Sequence, residues 1–177
     1  MTAPTLQTDR LILRPHRVED FNDVAALWAD PKVVKYIGGK PNSSQQSWAR
    51  LLRNMGHWQA MGFGYWAVCD RASGAFLGEV GFANFRREVT PPLPDVPEAG
   101  WVLTAQAHGR GLASEAVTCI HHWADQQRDW PQTVAIFAPE HAASQQVAVK
   151  LGYRTFGEGS YMGDKILIMS RQRPASA

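Results

Sequence analysis

One segment limits the folds open to this chain more than any other. Residues 98–138 begin EAGWVLT, pass through AQAHGRG into a stretch opening LASEAV, and end TVAIFA. The first and last of these read as strands, because apolar and β-branched residues crowd short runs. Between them Ala113, Ala116, Val117, Ile120 and Ala124 recur at helical spacing. Strand, helix and strand in that order predict a right-handed crossover between parallel strands. The fold must then contain a sheet with a parallel pair and a helix laid across it.

The remaining pattern is mixed. DRLILR at 9–14 predicts a first strand, stopped by Pro15. Phe21, Val24, Ala25 and Trp28 predict a helix near Glu19–Ala29, closed by Asp30-Pro31. Ser43-Ser44 can cap a second helix with Trp48, Leu51, Leu52 and Met55 on one face. YWAVCD and AFLGEVGFANF predict a hairpin turning on RASG. The proline-rich VTPPLPDVP at 89–97 is excluded from helix and central strand and reads as a surface loop. A last helix is expected at 142–151, closed by Gly152, followed by strands in YRTFGE and ILIMS. RQRPASA reads as a flexible tail. The sum is a mixed α/β protein, one domain over 1–177 with its core at about 6–170.

At 177 residues, 45% of them hydrophobic, the chain can bury a full core. A net charge of +2 is too small to imply nucleic acid or an anionic membrane as partner. Two cysteines, Cys69 and Cys119, make neither a disulfide framework nor a zinc site, and free thiols are expected. The opening MTAPTLQTDRLILRP lacks the apolar run of a signal peptide or a membrane span, so a cytoplasmic protein is expected. His121-His122 diverge by about 100° on a helix and form no metal pair; no metal is expected. An exposed sheet edge would suit a homodimer as well as a monomer.

The glycines pose the functional question. Gly109 and Gly111 flank Arg110 just before the helix, where orphan N–H groups point outward. Residues without Cβ let a ligand approach the backbone closely, and a helix N-terminus attracts anions. An anionic group, a pyrophosphate, is the expected occupant. The spacing fits neither a P-loop nor a dinucleotide fingerprint, whose third glycine is replaced by Ser114. An ordinary glycine-rich turn would carry the same tripeptide.

Gln106-Ala107-His108-Gly109-Arg110-Gly111 resembles the Q/R-x-x-G-x-G/A motif of the GNAT family, the GCN5-related N-acetyltransferases. APEHAASQQVAVKLGY resembles its second motif, A-x-x-N-x-x-S…K-L-G-F/Y, and the likeness runs over roughly residues 6–170. It is nearest to the branch with the ribosomal-protein N-terminal acetyltransferases. The resemblance implies a single domain whose mostly antiparallel sheet splays between its fourth and fifth strands, flanked by about four helices. It implies acetyl-CoA as cosubstrate. The backbone of Val102, Leu103 and Thr104 would meet the pantetheine arm, and Gln106 with Gly109, Arg110, Gly111, Leu112 and Ala113 the pyrophosphate. The activity implied is direct acetyl transfer to a primary amine, a protein N-terminus or a small molecule. A CoA-binding sensor without catalysis is the rival reading.

Two carboxylates are candidates for the base, Glu98 at the start of EAGWVLT, slightly favoured, and Glu79 in LGEVGF; either could instead be a strand-surface or ion-pair residue. The family's usual tyrosine acid falls on Ala148, so Ser144 is the replacement candidate, with a helix cap as its alternative role. His141 stands where the motif has Asn and could contact the cofactor, join proton transfer, or simply lie on the surface. Trp28, Tyr36, Trp58 and Phe85 are candidate linings of the acceptor side or core packing. His57 has no partner legible in the sequence.

Overall fold

A computed structural model describes residues 2–174. The chain forms β1 (Leu6–Gln7), β2 (Leu11–Arg14), a 3-10 turn (Val18–Asp20), α1 (Phe21–Ala29), a single helical turn α2 (Pro31–Val34) and α3 (Ser44–Met61). There follow β3 (Tyr65–Asp70), β4 (Phe76–Ala83), β5 (Val89–Thr90), β6 (Glu98–Leu103), a second 3-10 turn (Ala105–Ala107) and α4 (Leu112–Gln127). The fold closes with β7 (Gln132–Phe137), α5 (Ala142–Lys150), β8 (Arg154–Tyr161) and β9 (Asp164–Gln172). The sheet order is β1-β2-β3-β4-β6-β7-β9-β8-β5.

The expected crossover is present: β6 and β7 are parallel, while every other neighbouring pair is antiparallel. β4 and β6 pair all along, from Gly78↔Leu103 to Ala83↔Glu98. β6 and β7 share a single pair, Glu98↔Val134. Beyond it the two strands separate, leaving a wedge-shaped gap. Trp101 of β6 leans on Phe137 of β7 across this gap, ring centroids 5.6 Å apart, on the face that packs against α4.

Strand alternation sorts the side chains between two layers. Trp66, Val80, Phe82, Ala99 and Leu103 face α4, where Val117 and Ile120 meet them. On the other face Val102 joins Val24, Leu27, Trp28 and Leu51 of α1 and α3. Each fully buried Val, Leu, Ile or Phe among them contributes roughly 1.5–3 kcal/mol.

Three expectations are corrected. The buried face of α3 is Ser47, Leu51, Asn54 and Trp58, whereas Trp48 and Leu52 are exposed; a polar Asn faces inward because a buried acceptor, Glu79, awaits it. The proline-rich loop contributes Val89–Thr90 as an edge strand on β8. Nor does the chain loosen from residue 171: Arg171 and Gln172 belong to β9, Arg171 pairs with Asp125 at 2.6 Å and Arg173 with Asp129 at 3.1 Å. Residues 175–177 of the expected tail lie outside the described residues. Both outermost strands, β1 and β5, are two residues long, and β5 covers only Ser160 and Tyr161, so residues 154–159 of β8 keep an open edge.

α4 also carries a titratable group into the core. His121 is buried between the Val117 carbonyl at 2.7 Å and the Tyr153 hydroxyl at 2.8 Å, and Tyr153 in turn meets Thr133 at 2.6 Å. Burial lowers the imidazole to about 4, so the unfolded chain takes up its proton first as pH falls. That stability is complete above about pH 6.5 and is lost as pH falls toward 4, amounting to about 3 kcal/mol. Urea midpoints should therefore drop between pH 6.5 and 4, and His121→Gln should flatten that part of the slope.

Candidate active site

The gap between β6 and β7 opens directly beside the glycine turn. Gly109 and Gly111 hold φ of +73° and +75°, the left-handed region that other residues enter at about 1–2 kcal/mol. Gly111 is the N-cap of α4, and no side chain caps that end. Its first N–H groups are orphans by the geometry of a helix. A Cβ at Gly109 would meet no protein atom within 4 Å. The glycine is thus required by backbone conformation and leaves open space over the turn. Gln106 and the Arg110 side chain are exposed, while Leu112 is buried and presents only its backbone. Arg10 fixes the turn from behind, donating to the Arg110 carbonyl at 2.9 Å while its Nε bonds Glu115 at 2.7 Å.

Register decides which backbone groups line the gap. Thr104 N–H donates to the Leu77 carbonyl of β4 at 2.8 Å. Successive residues of an antiparallel strand turn their backbone groups to opposite sides. Val102 and Thr104 therefore face β4, and Trp101 and Leu103 face the gap. Of the expected trio Val102, Leu103 and Thr104, only Leu103 points its N–H and C=O into the opening. Its carbonyl already accepts from His108 Nε2–H at 2.9 Å.

Glu79, one of the two candidate bases, is enclosed by donors. It is fully buried on β4, and its oxygens receive His16 Nε2 at 2.9 Å, Trp28 Nε1–H at 2.8 Å and Asn54 Nδ2–H at 3.0 Å. Burial by itself would raise this carboxyl, but the hydrogen bond and charge of His16 and the Trp28 N–H outweigh it and hold it below the usual carboxylate range. Glu98 sits at the vertex of the gap with both oxygens on Arg87, at 2.7 and 3.0 Å. Arg87 is sandwiched between Phe85 and Tyr161.

A residue that the sequence reading passed over lies between them. Tyr65 starts β3 opposite Gly81, and its ring crosses the sheet over two glycines. A Cβ at Gly81 would strike the Tyr65 ring at 2.8 Å, and one at Gly100 would collide with its hydroxyl. The phenol is thereby laid onto β6 next to the gap. Burial, with Glu98 next in order, pushes its pKa well above the ordinary phenol value, so it remains protonated. Only the pairing of Gly81 with Gly100 signals this placement, and that pairing needs the register.

At the far side of the gap His141 Nε2 meets Ser144 Oγ at 3.1 Å, so the Ser144 hydroxyl engages the histidine ring rather than capping α5. The His141 ring stacks on Tyr36 at 4.6 Å. Burial, then the nearby His108, lowers its pKa, leaving the imidazole neutral at neutral pH. Ala148, where the family's tyrosine acid would fall, is buried in the core. Trp58 is core and donates to the Tyr65 carbonyl, while Trp28 and Phe85 carry arginines on their faces. His57 is held between the Phe63 carbonyl and the Asn84 N–H, both backbone. Among the described residues no group of three His, Cys, Asp or Glu is arranged to hold a metal ion, and no helix is long and apolar enough to cross a membrane.

Known proteins share this fold. The family described as an acetyltransferase (GNAT) domain matches residues 10–154. A Bordetella pertussis protein described as a GnaT-family acetyltransferase superposes with a TM-score of 0.82 at 30% identity, covering 96% of this chain and 99% of that one. The uncharacterized N-acetyltransferase YnaD of Bacillus subtilis (strain 168) is 27% identical over 86% of this chain and 84% of its own length. RimL, a ribosomal L7/L12 alpha-N-protein acetyltransferase solved in complex with coenzyme A, shares the fold at TM-score 0.79 and 16% identity, over 98% of this chain and 100% of that one.

Because Glu79 neutralises three donors from three elements, Glu79→Ala should destabilise the protein by about 3–5 kcal/mol, the cost of opening a buried charged network. Trp28→Phe, which removes one donor, should cost about 1–3 kcal/mol. Urea unfolding of both variants measures the difference.

Proposed function

The chain belongs to the GNAT acetyltransferase family, and on that premise we propose that it moves an acetyl group from acetyl-CoA directly to a primary amine. The observation that carries this reading is the splayed β6–β7 pair opening beside the uncapped N-terminus of α4. A gap edged by free strand backbone fits an amide-bearing arm, and a bare helix end fits a pyrophosphate. Bound there, acetyl-CoA would supply the acetyl group as an activated thioester.

In this reading the backbone of Trp101 and Leu103 pairs with the pantetheine amides, His108 releasing the Leu103 carbonyl as it does so. The N–H groups from Gly109 to Ala113 hold the pyrophosphate, with Arg110 and Gln106 at its rim. His141 orients Ser144, whose hydroxyl offers a proton to a sulfur at the base of the gap. Tyr65 presents its hydroxyl to the incoming amine from the opposite face of the sheet. The domain acts as one unit over the whole chain.

Catalysis rests on placement, which can contribute about 7–11 kcal/mol to such a transfer. A carboxylate tuned toward neutral pH would be an efficient base, but Glu79 and Glu98 are both engaged by donors. The acceptor then arrives as the neutral fraction of its own amine. An α-amine near pKa 7.7–8.0 loses about tenfold at pH 7, and a lysine-like amine near 10.4 about a thousandfold or more.

Two outcomes follow. Thiol release should rise about tenfold per pH unit up to the pKa of the chosen acceptor, and the inflection should move with the acceptor rather than stay with the protein. A fixed inflection shared by acceptors of different pKa would reveal a base in the protein. Gly109→Val should weaken acetyl-CoA binding by at least about tenfold in calorimetry while the protein remains folded. Unchanged affinity would remove the turn from the cofactor site.

A further inference from the structure

α3 presents two guanidinium groups that the reaction described above does not use. Arg50 lies flat on Trp28, its central carbon 3.5 Å from the ring centroid. Its Nε is buried without a hydrogen-bond partner among the described residues, and no carboxylate forms an ion pair with it there. Arg53, one turn on, lies over Phe85 at 4.9 Å, whose ring also carries Arg87.

The local carboxylates are already committed. Glu79 is enclosed by His16, Trp28 and Asn54, and Glu98 is closed onto Arg87. Arg50 and Arg53 therefore bring two positive charges to this face with no direct ion-pair partner among the described residues, although Glu79 acts on both through space. Both feel the charges of Glu79 and Arg87, and the Phe85 ring under Arg53 and Arg87 lies 6.1 Å from the Tyr65 ring. They line, with Asn42, Gln46 and Ala49, a recess of about 350 Å³. Desolvation, then the charge of Arg53, lowers Arg50 to about 10; the group is still charged at neutral pH but strained for want of an anion. A buried guanidinium with a free N–H is costly unless something completes it, and its planar fork matches an oxyanion.

We propose that the acceptor amine is a small molecule that also bears an anionic oxygen group, a carboxylate or a phosphoryl group, held by Arg50 and Arg53. This rests on the acetyltransferase reading and narrows it: diamines, polyamines and other polycations are poor acceptors, because they meet two arginines where they need carboxylates.

The test is thiol release from acetyl-CoA with matched pairs of amines, each rate taken per neutral amine so that the higher amine pKa of the anionic member does not mask the effect: amino acids against their amides, and aminoalkylphosphonates against the corresponding amino alcohols. The anionic member of a pair should have a kcat/KM about tenfold to a hundredfold higher, the worth of one or two charge-assisted hydrogen bonds. Carboxylate and phosphonate series ranked against each other identify which oxyanion the fork prefers. In Arg53→Gln and Arg50→Gln that preference should collapse through the acceptor KM, with the KM for acetyl-CoA unchanged. Equal use of charged and neutral partners, or preference for diamines, overturns the proposal and leaves acetyl transfer standing. Acceptance of acidic peptides alone overturns the small-molecule assignment. Should no amine turn over, the acetyl-transfer reading falls separately, and calorimetry of the same amino acids and aminophosphonates against the CoA-loaded protein decides the site. Binding that is lost in both arginine variants supports it, and no binding overturns it.

Discussion

The buried carboxylate of Glu79 is the tie on which the arrangement of this molecule depends. It sits at the centre of the sheet, and its donors arrive from the segment after β2, from α1 and from α3. An ionised carboxyl in that position is tolerated only because three donors meet it, and each donor is in turn fixed by meeting it. The helices over that face are thereby pinned at one depth and rotation. Trp28 is held with its ring placed to carry Arg50, and α3 is turned so that Arg53 lies over Phe85. The polar tie is expensive to assemble, and its return is orientation more than stability.

On the other side of the sheet the same economy of means is seen in backbone alone. One hydrogen-bonded pair joins β6 to β7, and past it the strand edge is left open, floored by Trp101 against Phe137. Beside it α4 starts from a left-handed glycine with no side chain over its end. Neither feature needs a reactive residue. Both follow from where pairing stops, which fits a reaction whose chief demand is geometry and not acid–base strength. The two ordered carboxylates nearby serve as anchors for cations and N–H donors, and two of the titratable groups that border the gap, Tyr65 and His141, are kept neutral by burial.

What was legible in the sequence was what is local. The glycine turn, the helix after it and the parallel crossover are written within forty residues, and they stand where the pattern placed them. The family resemblance came from that stretch and from the second motif that follows it, APEHAASQQVAVKLGY. What escaped was long-range. Glu79 finds partners 25, 51 and 63 residues away, so nothing near it marks it as enclosed rather than reactive. The inward face of α3 was misread because Ser47 and Asn54 are polar, and hydropathy assigns such residues to water unless their buried partners are known. The backbone direction of Val102 and Thr104 depends on strand register, which a side-chain pattern does not fix to the residue. Tyr65 becomes notable only once Gly81 and Gly100 are known to lie side by side.

The tryptophans make a separate point. Trp58, Trp66, Trp123 and Trp130 stand ring to ring, with centroids 4.7 to 6.5 Å apart, deep on the α4 side of the sheet. Trp28 lies apart from them on the other face, under the Arg50 guanidinium. Indoles so close couple their excited states, while an isolated indole under a cation has its own transition energy. The protein is thus divided optically as it is divided chemically: the coupled quartet gives a circular-dichroism signature of the intact core, and the part of the emission that Trp28 adds to that of Trp48 and Trp101 senses what happens above α3.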